Sequence, residues 1–149
     1  MIRKLDHKNP EEASKIREVF QESYAVEAKL LKAENNFPPL KRPLAGFIEA
    51  DSAFHGHFEN ESLAGVIEIK SEDDSTHIQS LVVSPRFFRR GIGSQLLQFV
   101  IDKFDTPVFT VETGAANDPA IALYKRFDFQ ITRKWMTGVG IEKVAMKRI

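Results

Sequence analysis

The chain has no cysteine, which excludes disulfide staples, thiolate metal ligands and cysteine nucleophiles together and fits a reducing compartment. It also lacks an excess of either charge. Lys plus Arg and Asp plus Glu number 21 each, so no long-range field draws it to a polyanion, and a dedicated nucleic-acid binder is not expected. No apolar run is long enough to cross a bilayer, and the opening Met1-Ile2-Arg3-Lys4-Leu5-Asp6 has no signal-peptide core. The expectation is a cytoplasmic protein without a membrane partner. Internal repeats and low-complexity tracts are missing too. With 149 residues at 42% hydrophobic content the chain can fill one core, so residues 1–149 read as a single domain.

What is present is punctuated by local signals. Residues 2–5 suit a short strand. In Asn9-Pro10-Glu11-Glu12, Asn9 can cap a helix, Pro10 fits its first position and Glu12 completes a capping box. Ile16, Val19, Phe20, Tyr24, Glu27 and Leu31 follow at three- and four-residue steps, an apolar face broken only at Glu27, and the helix should end near Leu31 or Lys32. Three prolines between Asn35 and Pro43 mark a connecting loop, and Leu44 to Asp51 carries no clear signal. Ala53–Phe58 and Leu63–Lys70 form an expected hairpin, followed by a strand over His77–Val83. A helix through Ile92, Leu96, Leu97, Val100, Ile101 and Phe104 comes next, then a strand over Val108–Glu112. Asp118 should cap a short helix with Pro119 in its first turn, and Phe129–Trp135 with Ile141–Arg148 should close the chain as a strand pair. This order implies a mixed sheet with helices packed on it.

The segment Arg89-Arg90-Gly91-Ile92-Gly93-Ser94 lies where a strand gives way to a helix. A helix N-terminus presents unpaired amides at the positive end of the peptide dipoles, and anions bind there. Two glycines would let a diphosphate approach those amides, with Arg89 and Arg90 for charge and Ser94 for a hydroxyl. By itself Gly-x-Gly is equally an ordinary tight helix entry. A Walker-type loop fails because Ser94-Gln95, not Lys, follows Gly93. A dinucleotide loop would need glycine at Leu96, although Glu112 stands about where a ribose-binding acid could sit.

Leu81-Val82-Val83-Ser84-Pro85 followed by Arg89-Arg90-Gly91-Ile92-Gly93-Ser94-Gln95-Leu96-Leu97 resembles the coenzyme A binding segment of the GNAT acetyltransferases. Downstream, Asn117-Asp118-Pro119-Ala120-Ile121-Ala122-Leu123-Tyr124-Lys125-Arg126-Phe127-Asp128-Phe129 resembles that family's second signature. The resemblance covers His77 to Phe129. It departs from the family at Phe88, where Gln or Arg is usual, and at Asp128, where Gly is usual. It implies a single-domain α/β (mixed α+β) fold, with a mostly antiparallel mixed sheet flanked by helices on both faces. It also implies acetyl-CoA as cosubstrate, no metal, and acetyl transfer to an amine of a small molecule or peptide. On this resemblance the backbone of Leu81, Val82 and Val83 contacts pantetheine, Arg89, Arg90, Gly91, Ile92, Gly93 and Ser94 hold the diphosphate, and Asn117 and Tyr124 contact the cofactor, with Tyr124 as acid for the leaving sulfur.

The proton acceptor is not carried by either signature. Glu68 is a charge within an otherwise mostly apolar strand and is the expected base, with Glu112 and His77 as rivals and solvated or hydrogen-bonded strand residues as the plainer reading of each. His55 and His57 alternate along one strand and suit an exposed face better than a metal pair. Trp135 reads as a core or rim anchor, and Tyr124 could by spacing alone be a packing residue. A non-catalytic acyl-CoA sensor or interaction module on the same fold is the alternative function. Homodimerisation through a sheet edge or the final hairpin stays open.

Overall fold

In the computed structural model all residues from Met1 to Ile149 are described. The elements run β1 (Ile2–Lys4), α1 (Pro10–Leu30), α2 (Leu44–Ile48), β2 (Ala53–Glu59), β3 (Ser62–Ser71), β4 (Ser75–Val83), α3 (Ile92–Lys103), β5 (Val108–Gly114), α4 (Asp118–Arg126), β6 (Gln130–Met136) and β7 (Glu142–Arg148). The seven strands make one sheet in the order β1-β2-β3-β4-β5-β7-β6. Every neighbouring pair is antiparallel except β4 with β5. This is the mixed, mostly antiparallel sheet expected from the sequence.

Local chemistry explains where α1 begins. The Asn9 side-chain oxygen accepts from the amides of Glu11 (2.9 Å) and Glu12 (3.2 Å), with Pro10 at the first helical position. The Glu12 carboxylate reaches past the expected capping box and accepts instead from the Asp6 amide at 3.0 Å. The proline-rich segment tightens into a 3₁₀ turn over Pro38–Lys41, and the signal-poor stretch after it forms the short α2.

Helices cover both faces of the sheet. On one, Leu96, Leu97 and Val100 of α3 pack with Ile67, Ile69, Ile78, Val111 and Met146. On the other, Ile16, Val19 and Phe20 of α1 and Phe47 of α2 pack with Phe54, Val66 and Val82. Two-sided cover is why β3 is almost continuously apolar, since neither of its faces meets water. It also corrects the reading of the two histidines. His55 and His57 are 2% and 4% exposed and lie under α3, where the His55 ring packs on Phe99 (5.2 Å between centroids) and His57 Nε2 meets Gln95 Oε1 at 2.7 Å. Alternation along β2 places them on one face, but it carries no information about which helix will cover that face.

The feature that positions the site is a break between β4 and β5. Their parallel pairing runs from Ser75↔Val108 to Ile78↔Val111 and stops. At the same level Glu68 of β3 faces Ser80 while Ile69 faces Ile78, so Gln79 is an extra residue in β4. Such a bulge bends its strand and strengthens the local twist. Beyond it the rest of β4 and the end of β5 part, leaving an opening in the middle of the sheet. Gly114 ends β5 at the place where α1 comes down on it, because a Cβ there would lie 2.5 Å from a Leu31 methyl. No helix in the molecule is long and apolar enough to cross a membrane.

Candidate active site

The segment before α3 has the conformation an anion cradle needs. Gly91 caps the helix at φ 74°, a left-handed geometry that side chains disfavour, and no side chain caps the helix in its place. The first helical bond runs from the Gln95 amide to the Gly91 carbonyl (3.0 Å), so the amides of Ile92, Gly93 and Ser94 are left at the positive end of the dipole without intrahelical partners. Ile92 contributes only backbone here, its side chain being buried in the core. Gly93 also faces α4, where an added Cβ would touch a Leu123 methyl at 3.4 Å. Arg89 (φ 65°) and Arg90 are exposed beside the cradle, and the Arg90 guanidinium lies 5.3 Å from the Phe87 ring. Phe88, the departure noted in the sequence, is 44% exposed and contributes nothing to the core. Asp128, the other departure, stands at φ 67° in the left-handed turn that a glycine would fill, a conformation Asp tolerates better than most residues.

The strand opening exposes backbone. The Ser84 amide donates to the Ala64 carbonyl at 2.8 Å, and in an antiparallel ladder bonded and non-bonded pairs alternate. Val82 therefore spends its amide and carbonyl on Val66 of β3, while Leu81 and Val83 turn theirs toward the opening, where the Val83 amide reaches Ser23 Oγ at 3.4 Å. Of the three residues expected to offer backbone, the structure brings two to the opening.

A cavity of about 480 Å³ occupies it, walled by Tyr24, Glu27 and Leu31 on the α1 side and by Asn117, Ala120 and Tyr124 on the α4 side. Ser80, Leu81 and Glu112 to Gly114 form its strand walls, and Phe37–Pro39 with the β6–β7 turn form its rim. Tyr124 is 4% exposed, and burial, reinforced by Tyr24 and Glu27, pushes its phenol well above the usual range and keeps it protonated. Asn117, not Asp118, caps α4: its side-chain oxygen accepts from the Ala120 amide at 3.3 Å, and Asp118 and Pro119 fill the first turn. Both residues are capable caps, and the fold decides between them by drawing Asn117 into the cavity wall.

The carboxylates named in the sequence fall in different places. Glu68 is held by Arg42 through two hydrogen bonds, 2.8 and 3.1 Å, and by Ser52 Oγ at 2.6 Å, with its side chain 3% exposed. Arg42 also donates to the Gly46 carbonyl (3.0 Å) and lies over the Phe47 ring at 4.2 Å, so the group fastens α2 to β3. Glu68 lines a side pocket that shares Tyr24, Pro39, Gln79 and Ser80 with the main cavity, and both of its oxygens already accept hydrogen bonds there. Glu112 lines the main cavity with its side chain 40% exposed, its carboxylate 3.5 Å from Lys143 Nζ. His77 is engaged with Thr110 Oγ1 at 2.7 Å, and burial lowers its basicity. A fourth group, not singled out from the sequence as a site residue, is Glu27. It lines the cavity and is half-buried, and desolvation pushes its carboxyl up to about 6 against the opposing pull of Lys143 and the Asn117 amide. The signal for it was its place as the sole interruption of the apolar face of α1.

The comparisons with known proteins agree with this fold. UPF0157 protein YqkA of Bacillus subtilis is 35% identical over 131 residues, which span 87% of this chain but only 38% of that protein. N-alpha-acetyltransferase RimI of Mycobacterium tuberculosis is 25% identical over 134 residues, covering 83% of this chain and 82% of that protein. The crystal structure of the PaiA N-acetyltransferase from Thermoplasma acidophilum in complex with coenzyme A superposes with a TM-score of 0.77 at 19% identity, over 99% of this chain and 97% of that one. The acetyltransferase (GNAT) family model matches residues 13–129, a span that takes in most of α1, the opened strands, the segment before α3 and α4, and the chain belongs to that family.

Proposed function

We propose that the protein transfers the acetyl group of acetyl-CoA to a primary amine of a small molecule or peptide. The observation that carries this reading is the opening between β4 and β5, which puts a buried tyrosine, free strand backbone and carboxylates around one cavity. The thioester supplies the activated acyl group. On this reading the amides of Ile92, Gly93 and Ser94, with Arg89 and Arg90, hold the diphosphate. Leu81 and Val83 pair with the pantetheine chain from the strand edge, and the Leu81 amide polarises the reacting carbonyl. Asn117 lines the same wall. Tyr124 donates its proton to the departing sulfur. A thiolate expelled into an apolar wall is itself made more basic by desolvation, which matches it to a phenol raised by the same burial.

Further support comes from the relatives, since RimI is named as an N-alpha-acetyltransferase and the PaiA structure carries coenzyme A. Because the chain spans 38% of YqkA, nothing about that protein as a whole is carried over. Glu68 is the less favoured base on this reading, because both of its oxygens already accept from Arg42 or Ser52.

Thiol release from acetyl-CoA across a panel of primary amines tests the proposal, and at least one acceptor should raise it above spontaneous hydrolysis. Tyr124→Phe should lower turnover by about 10²-fold with little change in acetyl-CoA affinity. Gly91→Glu, which places a side chain and a negative charge in the cradle, should abolish binding in calorimetry. Cofactor binding without transfer to any amine would assign the protein to acyl-CoA sensing instead.

A further inference from the structure

The buried face of α1 is set by three- and four-residue steps through Phe20, Tyr24, Glu27 and Leu31. Phe20 and Tyr24 meet edge to face at 5.8 Å, the Tyr24 hydroxyl donates to Ser80 Oγ at 3.1 Å, and Leu31 seats on Gly114. Glu27 lies between these two anchored turns and faces the cavity, across from Tyr124. A carboxylate on an otherwise apolar helix face costs desolvation energy, and an apolar residue there would have served the fold better. The groups around it are Lys143 of β7, Glu112 of β5, Asn117 before α4, and the two tyrosines, Tyr24 and Tyr124. Lys143 is the single cation in the cavity wall and is shared with Glu112, so two carboxylates stand against one ammonium.

We propose that Glu27 is the carboxylate that holds the acceptor's ammonium and takes its proton, which rests on the amine acetylation proposed above. The remaining negative charge of the cavity is matched by one cation. No second cation is left over for a carboxylate, so the acceptor is an amine without a neighbouring carboxyl group, such as a peptide N-terminus or an amide-blocked amino acid. Protons balance as follows. The ammonium gives one to Glu27. The neutral nitrogen forms its bond to the acetyl carbon as the carbon–sulfur bond breaks. A second nitrogen proton is returned to the sulfur by way of Tyr124, and Glu27 passes its proton to solvent. The products are the amide, the thiol and one proton. With its carboxyl raised to about 6, Glu27 lies closer to an α-amino group near ~8 than to an alkylamine near ~10.4.

The test combines pH profiles of kcat/KM for wild type, Glu27→Gln and Glu112→Gln with carbon-detected NMR titration of the glutamate carboxyls in the protein alone. Glycinamide and glycine serve as paired acceptors, and acetyl-CoA affinity is measured by calorimetry. Wild type should show an acidic limb centred near 6, matched by one carboxyl resonance titrating there. Glu27→Gln should remove that resonance and the limb and lower kcat/KM by about 10²-fold, with acetyl-CoA affinity unchanged. Glycinamide should be preferred to glycine by at least about tenfold. A limb and rate retained in Glu27→Gln would overturn the proposal, as would a limb that disappears in Glu112→Gln instead. Acetyl-CoA binding with no amine turned over by wild type would remove the transfer reading itself, a different result from a wild type that is active and a Glu27→Gln variant that is equally so.

Discussion

Replacing Glu27 by Gln should make the folded protein more stable at neutral pH. In the unfolded chain this carboxyl titrates near 4.5, and in the fold burial moves it to about 6. Between those values the folded state binds more protons than the unfolded state, so stability falls as pH rises through 4.5 toward 6, and the whole penalty is present above that. A shift of this size corresponds to at most about 2 kcal/mol, reduced to the extent that water still reaches a half-buried group. For a domain of this length that ceiling is about 4–8 °C in Tm. Urea unfolding of both proteins at about pH 7.5 and about pH 4 separates the cause. The variant should have the higher midpoint at the first pH and should coincide with wild type at the second, while contributions from other titrating groups cancel between them. An equal gain at both pH values would mean that the amide merely packs better. A loss at pH 7.5 would refute the reasoning that a desolvated charge is being carried there.

Two further predictions concern groups outside the cavity. His55 is pulled down from 6.5 to about 4, first by burial and then by Lys103 and Lys4, so the unfolded chain protonates before the fold does. Stability should then decline as pH drops below 6.5, by no more than about 3 kcal/mol at pH 4, and His55→Phe should flatten that decline in urea midpoints; an unchanged slope would place its origin elsewhere. Arg42→Met leaves the Glu68 carboxylate buried with Ser52 as its remaining side-chain partner and should cost about 3–5 kcal/mol in the same assay. Adding Glu68→Met to that variant should recover much of the loss, and no recovery would show that Arg42 acts through its ring contacts alone.

Features legible in the sequence depend on interactions within a turn or two of chain. Asn9-Pro10 starts α1 because a side-chain oxygen and a fixed φ act on the next three residues. The left-handed Gly91 before α3, and the short helix that carries Tyr124, were readable for the same reason, since glycine's freedom and helix capping are local properties. The signal-poor stretch that became α2 had no cap and no period to read, and it is held in place by Arg42 reaching Glu68 across 26 positions. Glu68 stood out in β3 as a charge among apolar neighbours, yet what that charge does depends on a guanidinium from a distant loop. Glu27 stood out equally, as a break in a helical stripe, and became a cavity residue only because Leu31 docks on Gly114 and β4 bulges at Gln79. His55 and His57 were given a shared face by alternation, and α3 decided that the face is buried. By itself the sequence determined most of the elements and the family. Tertiary structure decided which carboxylate is consumed by an ion pair and which faces the opened strands, because solvation and pairing of a charge are set by groups remote in the chain.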